Sequence, residues 1–340
     1  MGEGKRRRVR LGVVGAGATS QLMHLPILSE RSDVQVAAVA DPDDLRARAV
    51  AKRFGVPDVV DDDTLMADGD IDGVVICAPS FLHEGLAASF LRAGKHVLVE
   101  RPLALSAGGV RWLLSIARAA DKGLVLGMAH RYQPDVSALR TVIADGGLGE
   151  LSSARMTWLN QAVRRPRTGW RRRALESGGG ALMDLGVPAL DLALWVLGYP
   201  EVERVSAVTP GDGFDVEEEA HLHAVTRGGV ALSLAASWRF HGAADRHRFH
   251  IFGAEGTARL SPFTVFREES GRTVDVTPRQ PIPQGGEDLY TSGYRRLLDH
   301  FVRVAAGGDS AEPPAEQYIL MSLIEAAYES AREGREVTLS

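Results

Sequence analysis

The chain of 340 residues has one cysteine, Cys77, and no long run of apolar residues. A single cysteine cannot form an intramolecular disulfide and does not indicate a metal cluster, so we expect no metal site. No apolar run approaches the ~20 residues that a membrane-spanning helix needs. These absences predict a soluble, cytoplasmic protein with no membrane partner.

A strong excess of either charge is also missing. The 39 lysines and arginines nearly balance the 44 aspartates and glutamates, which leaves a net charge of −5. This balance argues against a general polyanion-binding protein, so we predict no nucleic-acid partner. With 45% hydrophobic residues, the chain is long enough for two domains that each bury their own core.

A glycine-rich turn follows the first predicted strand. The apolar run from Leu11 to Val14 ends at Gly15, which permits a tight turn, and Gly17 lets the backbone approach a pyrophosphate. The next helix then offers its N-terminus to the anion. Ser20 stands where the G-x-G-x-x-G pattern has its third glycine, and a purely structural glycine turn is the alternative. The turn residues that we expect to contact a dinucleotide are Gly15, Gly17, Ala18, Thr19 and Ser20.

A second predicted strand, Val34 to Ala40, ends at Asp41, which lies 26 positions after Gly15. A carboxylate at about this distance accepts hydrogen bonds from an adenosine ribose and repels a 2′-phosphate, which favours NAD over NADP. Arg46 and Arg48 follow closely enough to keep NADP possible.

Strands and helices alternate through the N-terminal part. Predicted strands at 73–79, 97–100 and 124–128 alternate with helices at 84–93 and 107–120, as in a doubly wound parallel sheet. Ligands gather at the carboxyl ends of such strands. The residues at these ends are Asp41, Pro79 to His83 and Glu100 to Pro102.

The pattern of hydrophobic residues changes near residue 130. Segments of alternating hydrophobicity separated by Gly-rich turns indicate an antiparallel sheet. These segments are 151–158, 202–208, 221–226, 230–238, 247–252 and 257–260, and helices are predicted at about 183–197, 294–306 and 315–333. We therefore predict an α/β protein with a Rossmann domain at 1–129 and an α+β domain at 130–340. This division also allows the helix at 315–333 to pack back toward the Rossmann domain.

With Glu100-Arg101-Pro102, the chain resembles the Gfo/Idh/MocA family of sugar and cyclitol oxidoreductases, whose members carry Glu-Lys-Pro after this strand. Other stretches agree in the same order: His24 to Pro26, Ala78 to His83, Arg131 to Pro134, Gly147 to Glu150, Gly178 to Asp191 and Glu325 to Gly334.

The resemblance covers nearly the whole chain. It implies a Rossmann domain that holds NAD(P) tightly, a sugar, cyclitol or polyol substrate, and a C-terminal domain with a large open sheet that often forms dimers or tetramers. It also places further residues at the cofactor, namely Ala78, Pro79, Ser80, His83, Glu100 and Arg101.

Two catalytic positions depart from the family pattern. Arg101 stands in place of the usual lysine, and Pro188 in place of the histidine that follows Asp184 and Gly186. Hydride transfer from an alcohol also moves a proton, which proline cannot carry and a guanidinium hardly accepts. We therefore expect Arg101 to align the substrate and Asp184 to handle the proton. The alternative for Asp184 is an acid that organises the neighbouring backbone.

Other side chains are candidates for the missing proton carrier. His83 points toward the nicotinamide by resemblance and is the third predicted catalytic residue, although a fully hydrogen-bonded histidine at a helix start is the alternative. His130 is a weaker candidate, His24 is expected to be structural, and Glu100 is expected either to pair with Arg101 or simply to end its strand. The predicted substrate-binding residues are Arg131, Trp170, Asp184, Pro188 and Tyr290, of which the aromatic ones are also typical of packing.

Six arginines lie within the ten residues 164–173. Such a cluster could hold a carboxylate or phosphate through bidentate contacts. We favour the alternative, a solvated loop or subunit contact that pairs with acids such as Glu217 to Glu219.

The favoured function is an NAD(P)-dependent dehydrogenase or reductase acting on CH–OH groups. Two others stay open: a pseudo-oxidoreductase that serves as a sensor or partner subunit, and a lyase or glycosidase that uses NAD transiently.

Overall fold

The computed structural model describes residues 7–165, 168–210, 215–280, 286–309 and 312–339. Its contacts divide the chain into two compact units. The first unit comprises Met1–Ala104, Gly108–Ala129 and Tyr290–Ala315, and the second comprises Leu105–Ala107, His130–Leu289 and Glu316–Ser340.

The described residues of the first unit form a six-stranded parallel sheet. Its strands are β1 (Val9–Val14), β2 (Val34–Ala40), β3 (Asp58–Val60), β4 (Gly73–Ile76), β5 (His96–Glu100) and β6 (Leu124–Gly127). They are ordered β3-β2-β1-β4-β5-β6, and every neighbouring pair is parallel. This is the order of a Rossmann fold, in which the strand order reverses between β1 and β4. The predicted doubly wound sheet is confirmed.

Helices flank the strands along the chain. Their bounds are α1 (Leu25–Ser29), α2 (Asp44–Phe54), α3 (Asp62–Ala67), α4 (Ser80–Arg92), α5 (Ala107–Ala120), α6 (Pro134–Ala144), α7 (Ala174–Ser177), α8 (Val187–Val196), α9 (Leu289–Ala305) and α10 (Gln317–Glu333). Local capping explains where α2 lies, because the Asp43 carboxylate accepts the N–H of Arg46 and Gly55 ends the helix with φ +68°.

In the second unit, the described residues form a nine-stranded mixed sheet. Its strands are β7 (Leu151–Gln161), β8 (Val202–Val208), β9 (Glu219–Thr226), β10 (Ala231–Phe240), β11 (Arg246–Gly253), β12 (Gly256–Leu260), β13 (Thr264–Glu269), β14 (Arg272–Asp275) and β15 (Val337–Thr338). Their order is β14-β13-β12-β11-β7-β10-β9-β8-β15. Only β7 and β10 pair in parallel among these described strands, so the large, mainly antiparallel sheet is confirmed. Helix α10 packs against β8, α8 and β15 of the same unit.

Proline explains the main local departure from the predicted helices. The helix expected at 183–197 begins instead with a π-helical turn, Leu182–Gly186, before α8. Pro188 has no N–H to donate to the preceding turn, and the N–H of Val187 bonds to the Leu182 carbonyl five residues back. A second π-helical turn, Ser20–His24, likewise precedes a helix with proline in its first turn.

Within the described residues, one segment, Ala174–Val196, matches a membrane-spanning helix by length and composition. The sequence analysis expected no apolar run long enough to span a membrane, so this segment differs from that expectation. However, 83% of its most apolar window is buried inside the protein, as expected for a core helix.

Candidate functional site

The turn after β1 contains two glycines, Gly15 and Gly17, whose surroundings differ. Gly15 has φ +95°, and a Cβ there would lie 2.8 Å from the carbonyl carbon and oxygen of Cys77. A Cβ at Gly17 would meet nothing within 4 Å, so the absent side chain leaves open space beside the backbone. The two glycines therefore serve different purposes, one allowing close packing and the other leaving room for a ligand.

Ser20 and Gln21 close this turn. The buried Ser20 hydroxyl donates to the Gly17 carbonyl at 2.9 Å, and the Gln21 side-chain amide donates to the Ala16 carbonyl at 2.8 Å. The serine in place of the third glycine thus folds back onto the turn. Gln21 was not predicted from the sequence.

Asp41, at the carboxyl end of β2, faces the same turn. Its carboxylate accepts the N–H of Ala16 at 2.7 Å, the N–H of Asp43 at 2.8 Å and the guanidinium of Arg46 at 2.6 Å. Burial raises the pKa of Asp41, but the hydrogen bonds from Arg46 and the two backbone groups outweigh it and lower the pKa. Arg48 bonds to Asp44 instead. The turn and this carboxylate together fit the pyrophosphate and ribose of a dinucleotide.

His83 lies just inside α4 and is 1% exposed. Its Nδ1 is 2.8 Å from the Pro102 carbonyl oxygen, and its Nε2 is 2.9 Å from that of Ala78. Burial is the largest influence on its pKa and lowers it. The imidazole therefore connects the turns that follow β4 and β5, and Ser80 is buried beside it in the first turn of α4.

Glu100 is anchored by two side chains from distant parts of the first unit. Its Oε1 is 2.8 Å from His24 Nε2 and accepts the Tyr294 hydroxyl at 3.2 Å. Burial alone lowers the pKa of His24, but neighbouring Cys77 and Glu100 outweigh it and raise the pKa to about 10. Burial raises the pKa of Glu100, and the pairing with His24 overrides that effect and lowers it, with a smaller contribution from Arg101.

Tyr290 extends this cluster outward. It is 42% exposed, and its hydroxyl lies 3.5 Å from that of Tyr294. The two rings meet edge to face at 5.2 Å. A chain of polar contacts therefore leads from the exposed Tyr290 through Tyr294 to Glu100.

Asp184, in the second unit, is carried by the π-helical turn. Its Oδ2 accepts the indole N–H of Trp238 at 3.0 Å, and its backbone N–H donates to the Gly180 carbonyl at 2.9 Å. Trp238 is buried on β10. The carboxylate is thus oriented by a rigid donor. Pro188 is buried one helical turn further along, in the first turn of α8.

The position of Glu217 explains why glycines precede Asp184 in the chain. Its carboxylate accepts the N–H groups of Gly180 and Leu182, each at 2.9 Å, and the Tyr328 hydroxyl at 2.9 Å. A Cβ at Gly180 would lie 1.8 Å from the Glu217 carbonyl oxygen, and one at Gly179 would lie 1.8 Å from the Tyr328 hydroxyl. Glu217 therefore caps the segment that carries Asp184.

The guanidinium of Arg131 lies in a buried network. It bonds to Asp191 at 2.8 and 2.5 Å and to Glu316 at 2.6 Å, and lies 4.5 Å above the Trp195 ring. Burial raises the pKa of Asp191, but Arg131 outweighs it and holds the pKa below its usual value. Gln317 donates to the same carboxylate at 2.9 Å.

The arginine-rich loop is described except for residues 166–167, so Arg167 lies outside the described residues. The three consecutive acids named with this loop behave differently. Glu217 caps the backbone, Glu218 contacts Arg165 and Arg172, and Glu219 bonds to His221. Trp170 lies under the Arg171 guanidinium at 4.3 Å.

His130 packs edge to face against Trp158 at 5.3 Å, and Trp158 stacks on His247 at 4.6 Å. The sequence did not single out Tyr294 or Trp238. Trp238 carried a signal, because it occupies an inward position of a predicted alternating strand.

The comparisons with known proteins agree with these features. Residues 9–129 match the family model of the oxidoreductase family with an NAD-binding Rossmann fold, and residues 136–259 match the GFO/IDH/MocA C-terminal domain. A putative UDP-kanosamine synthase oxidoreductase subunit from Amycolatopsis mediterranei is 32% identical, covering 96% of this chain and 97% of that protein.

An inositol 2-dehydrogenase from Rhizobium meliloti is 27% identical, covering 98% of this chain and 99% of that protein. Among solved structures, GenD2 from gentamicin A biosynthesis in complex with NAD has a TM-score of 0.84 and 29% identity, covering 100% of this chain and 99% of that one. The chain therefore belongs to the Gfo/Idh/MocA family of oxidoreductases, and its first unit is the NAD-binding Rossmann fold of that family.

Proposed function

We propose that this protein is an NAD-dependent dehydrogenase or reductase acting on a hydroxyl or keto group of a sugar or cyclitol. The names of its relatives, an inositol dehydrogenase and a UDP-kanosamine synthase subunit, support this substrate class. The observation that carries the proposal is the Asp184 carboxylate, which a buried indole orients at 3.0 Å.

Bound NAD supplies the hydride acceptor or donor, and the protein must provide for the accompanying proton. Asp184 takes the proton from the substrate hydroxyl during oxidation and returns it during reduction. The hydrogen bond from Trp238 and the cap by Glu217 hold this carboxylate in one orientation. A fixed orientation lowers the entropy cost of proton transfer.

Arg101 acts as a fixed positive charge. Its guanidinium stays protonated, so it aligns the substrate oxygen and stabilises negative charge that develops there. The neighbouring Glu100 is held by His24 and Tyr294, which fixes the backbone that carries Arg101.

The remaining predicted residues receive different roles. Because both of its ring nitrogens face carbonyl oxygens, we assign His83 to positioning the turns that carry Ala78 and Pro102. We assign Arg131 to supporting the second unit, because its guanidinium is committed to Asp191 and Glu316.

The direct test begins with mass spectrometry of the nucleotide released from purified protein. The nucleotide-bound protein is then mixed with pooled polyols and keto-sugars while the absorbance of reduced nicotinamide is recorded. We expect NAD that cycles with one pool, and a loss of at least about 100-fold in kcat for Asp184→Asn, the scale of one general base. Asn keeps an oxygen acceptor for Trp238.

Bound NAD that never changes its redox state would contradict this proposal. It would favour a second function, a catalytically altered sensor or partner subunit. The observation behind that alternative is that neither Arg101 nor Pro188 can release a proton at neutral pH. Product formation without net NADH would instead indicate a lyase or glycosidase that uses NAD transiently.

We also propose that the protein is a homodimer or homotetramer formed through the outer face of the nine-stranded sheet. Helices α8 and α10 pack on the other face. The outer face of β10 bears the small residues Ala231, Ser233 and Ala235, which leave room for a second sheet. Sedimentation should give an oligomeric mass that Ala235→Arg reduces, and a monomeric wild type would refute the assignment.

A further inference from the structure

A histidine that no role above uses lies on the same face of the nine-stranded sheet as Trp238. Trp158 on β7 is aligned with His247 on β11 and with Ala236 on β10. Aligned residues of neighbouring strands project from one face, and so do alternate residues of one strand. Trp238 follows Ala236 by two positions, so His247 and Trp238 share a face, with strand β7 between them.

The π-helical turn that carries Asp184 packs on this face. It contacts β7, β9 and β10, and Trp238 donates to the Asp184 carboxylate. Strand β11 is two strands away from β10, a spacing of about 10 Å. His247 is exposed there, so a solute can reach it. The carboxylate of Asp184 and the imidazole of His247 therefore flank the same stretch of the sheet.

The imidazole of His247 is held in one orientation. Its ring stacks on that of Trp158, with centroids 4.6 Å apart and planes inclined by 17°. Its Nε2–H donates to Oδ1 of Asn160 at 2.9 Å. An amide oxygen only accepts hydrogen bonds, so this contact places the hydrogen of the neutral ring on Nε2. Nδ1 of the neutral ring is therefore a hydrogen-bond acceptor.

The surroundings of His247 favour its neutral form. Partial burial lowers the pKa of His247 below its usual value, and the nearby Asp245 opposes this effect without cancelling it. The Asp245 carboxylate accepts the N–H of Gln161 at 2.8 Å and the guanidinium of Arg164 at 3.2 Å. At neutral pH the ring can thus accept a hydrogen bond through Nδ1.

We propose that His247 determines substrate specificity, with its Nδ1 accepting a hydrogen bond from a ring hydroxyl other than the one that Asp184 deprotonates. This inference rests on the proposed function. Sugars and cyclitols carry several hydroxyls on one ring, and the spacing of β10 and β11 allows such a ring to meet both residues. No bond breaks at His247, because the hydroxyl keeps its proton. Pro188 has no polar side chain, and His247 supplies a contact that Pro188 cannot.

Isothermal titration calorimetry of the NADH-loaded protein tests this contact without turnover. The probes are myo-inositol and methyl α-D-glucoside, each with the set of analogues that lack one hydroxyl. We expect one analogue to bind the wild type about 5- to 10-fold more weakly than its parent, the scale of one neutral hydrogen bond. His247→Phe should bind that analogue and its parent equally, because phenylalanine can stack on Trp158 but has no acceptor. Analogues that lack other recognised hydroxyls should still bind this variant more weakly than the parent does.

His250→Phe is the matched control. His250 lies on the same strand but is aligned with Arg155 on the opposite face, so its variant should discriminate as the wild type does. His247→Gln tests for rescue, since its amide can donate to Asn160 and also offers an oxygen, and it should recover part of the discrimination. A residue that only supported the fold would change the affinity for parent and analogues alike.

The inference is overturned if neither parent binds, if the wild type distinguishes no analogue from its parent, or if His247→Phe discriminates as the wild type does. Loss of the same discrimination in His250→Phe would overturn it too. Discrimination through His247 without redox cycling of any pool would keep this role and refute the proposed dehydrogenase. Redox cycling with no difference between the wild type and His247→Phe would refute the role of His247 alone.

Discussion

The indole N–H of Trp238 donates to Oδ2 of Asp184 at 3.0 Å, from a strand position 54 residues further along the chain. The relationship joins a buried residue of β10 to the π-helical turn that precedes α8. If Asp184 handles the proton, this hydrogen bond helps to set the orientation of its carboxylate.

Trp238→Phe should therefore lower kcat about 10-fold while KM changes less, because the aromatic ring remains but the charge-assisted hydrogen bond to Asp184 is lost. Steady-state kinetics, with the melting temperature recorded in parallel, measures the effect. Trp158→Phe is the control, since Trp158 is also buried in the sheet but stacks on His247. Equal losses of kcat in the two variants would reduce the role of Trp238 to packing.

Glu217→Gln should loosen the turn that carries Asp184. An amide replaces one carboxylate oxygen, so one of the N–H groups of Gly180 and Leu182 loses its acceptor. We expect the free energy of unfolding to fall by about 1–2 kcal/mol, the scale of a helix cap, and kcat to fall with it. Urea denaturation and kinetics measure both quantities. The control is Glu219→Gln, whose carboxylate bonds to His221 and not to this turn, and it should change neither.

Asp41→Asn should shift the cofactor preference. The variant keeps an oxygen that accepts the N–H of Ala16, loses the charge that repels a 2′-phosphate, and frees Arg46 to meet it. We expect the ratio of NADP to NAD affinity to rise about 10-fold or more. Fluorescence titration with NADH and NADPH measures it. If the ratio of NADP to NAD affinity stays unchanged, or changes equally in Arg48→Ala, Asp41 does not recognise the ribose.

The surroundings of His24 predict a pH dependence of stability, because burial lowers its pKa but Cys77 and Glu100 together outweigh burial and raise it. The pKa of His24 rises from 6.5 to about 10 on folding, so the folded protein holds this proton more tightly than the unfolded chain does. The stabilisation is complete below pH 6.5 and is lost as the pH rises toward about 10. Glu100 acts oppositely, because its lowered pKa gives stability that disappears on acidification.

Urea denaturation between neutral pH and pH 10 checks this dependence. The wild type should lose stability across the interval, and His24→Gln should be less stable at neutral pH but show a flatter profile. His223→Gln, exposed on β9, should follow the wild-type slope. Parallel profiles for all three proteins would show that His24 does not titrate with folding.

The two halves of the molecule differ in how well their sequences predict them. The Rossmann half follows from local rules, since Gly15 needs a positive φ and the apolar run of β4 reads as a buried strand. The contact between Tyr294 and Glu100 is an exception within this unit, because it spans 194 residues and no local sequence pattern predicts it. The short polar strands β13 and β14 were missed because they expose much of both faces and lack a strong apolar alternation.

The candidate site was harder still to predict. The sequence analysis named the consecutive acids Glu217, Glu218 and Glu219 together as partners for the arginine-rich loop, which suggests a single role for all three. Each carboxylate instead meets a different partner, because the chain enters β9 here and successive side chains point in different directions. Likewise, periodicity predicts a helix over 183–197 but cannot reveal the π-helical turn that presents Asp184.

A variant of Arg131 distinguishes two hypotheses for this residue, namely that it binds the substrate or that it supports the second unit. Arg131→Met leaves the buried carboxylate of Asp191 without its cation, and breaking such a pair costs about 3–5 kcal/mol. If Arg131 supports the second unit, the free energy of unfolding should fall on this scale, while the KM of the folded fraction stays near that of the wild type. Arg140→Met is the matched control, because the Arg140 guanidinium also covers Trp195, at 4.0 Å, but from the surface-exposed side of α6. A large increase in KM with little loss of stability would instead place Arg131 at the substrate, as the sequence alone predicted.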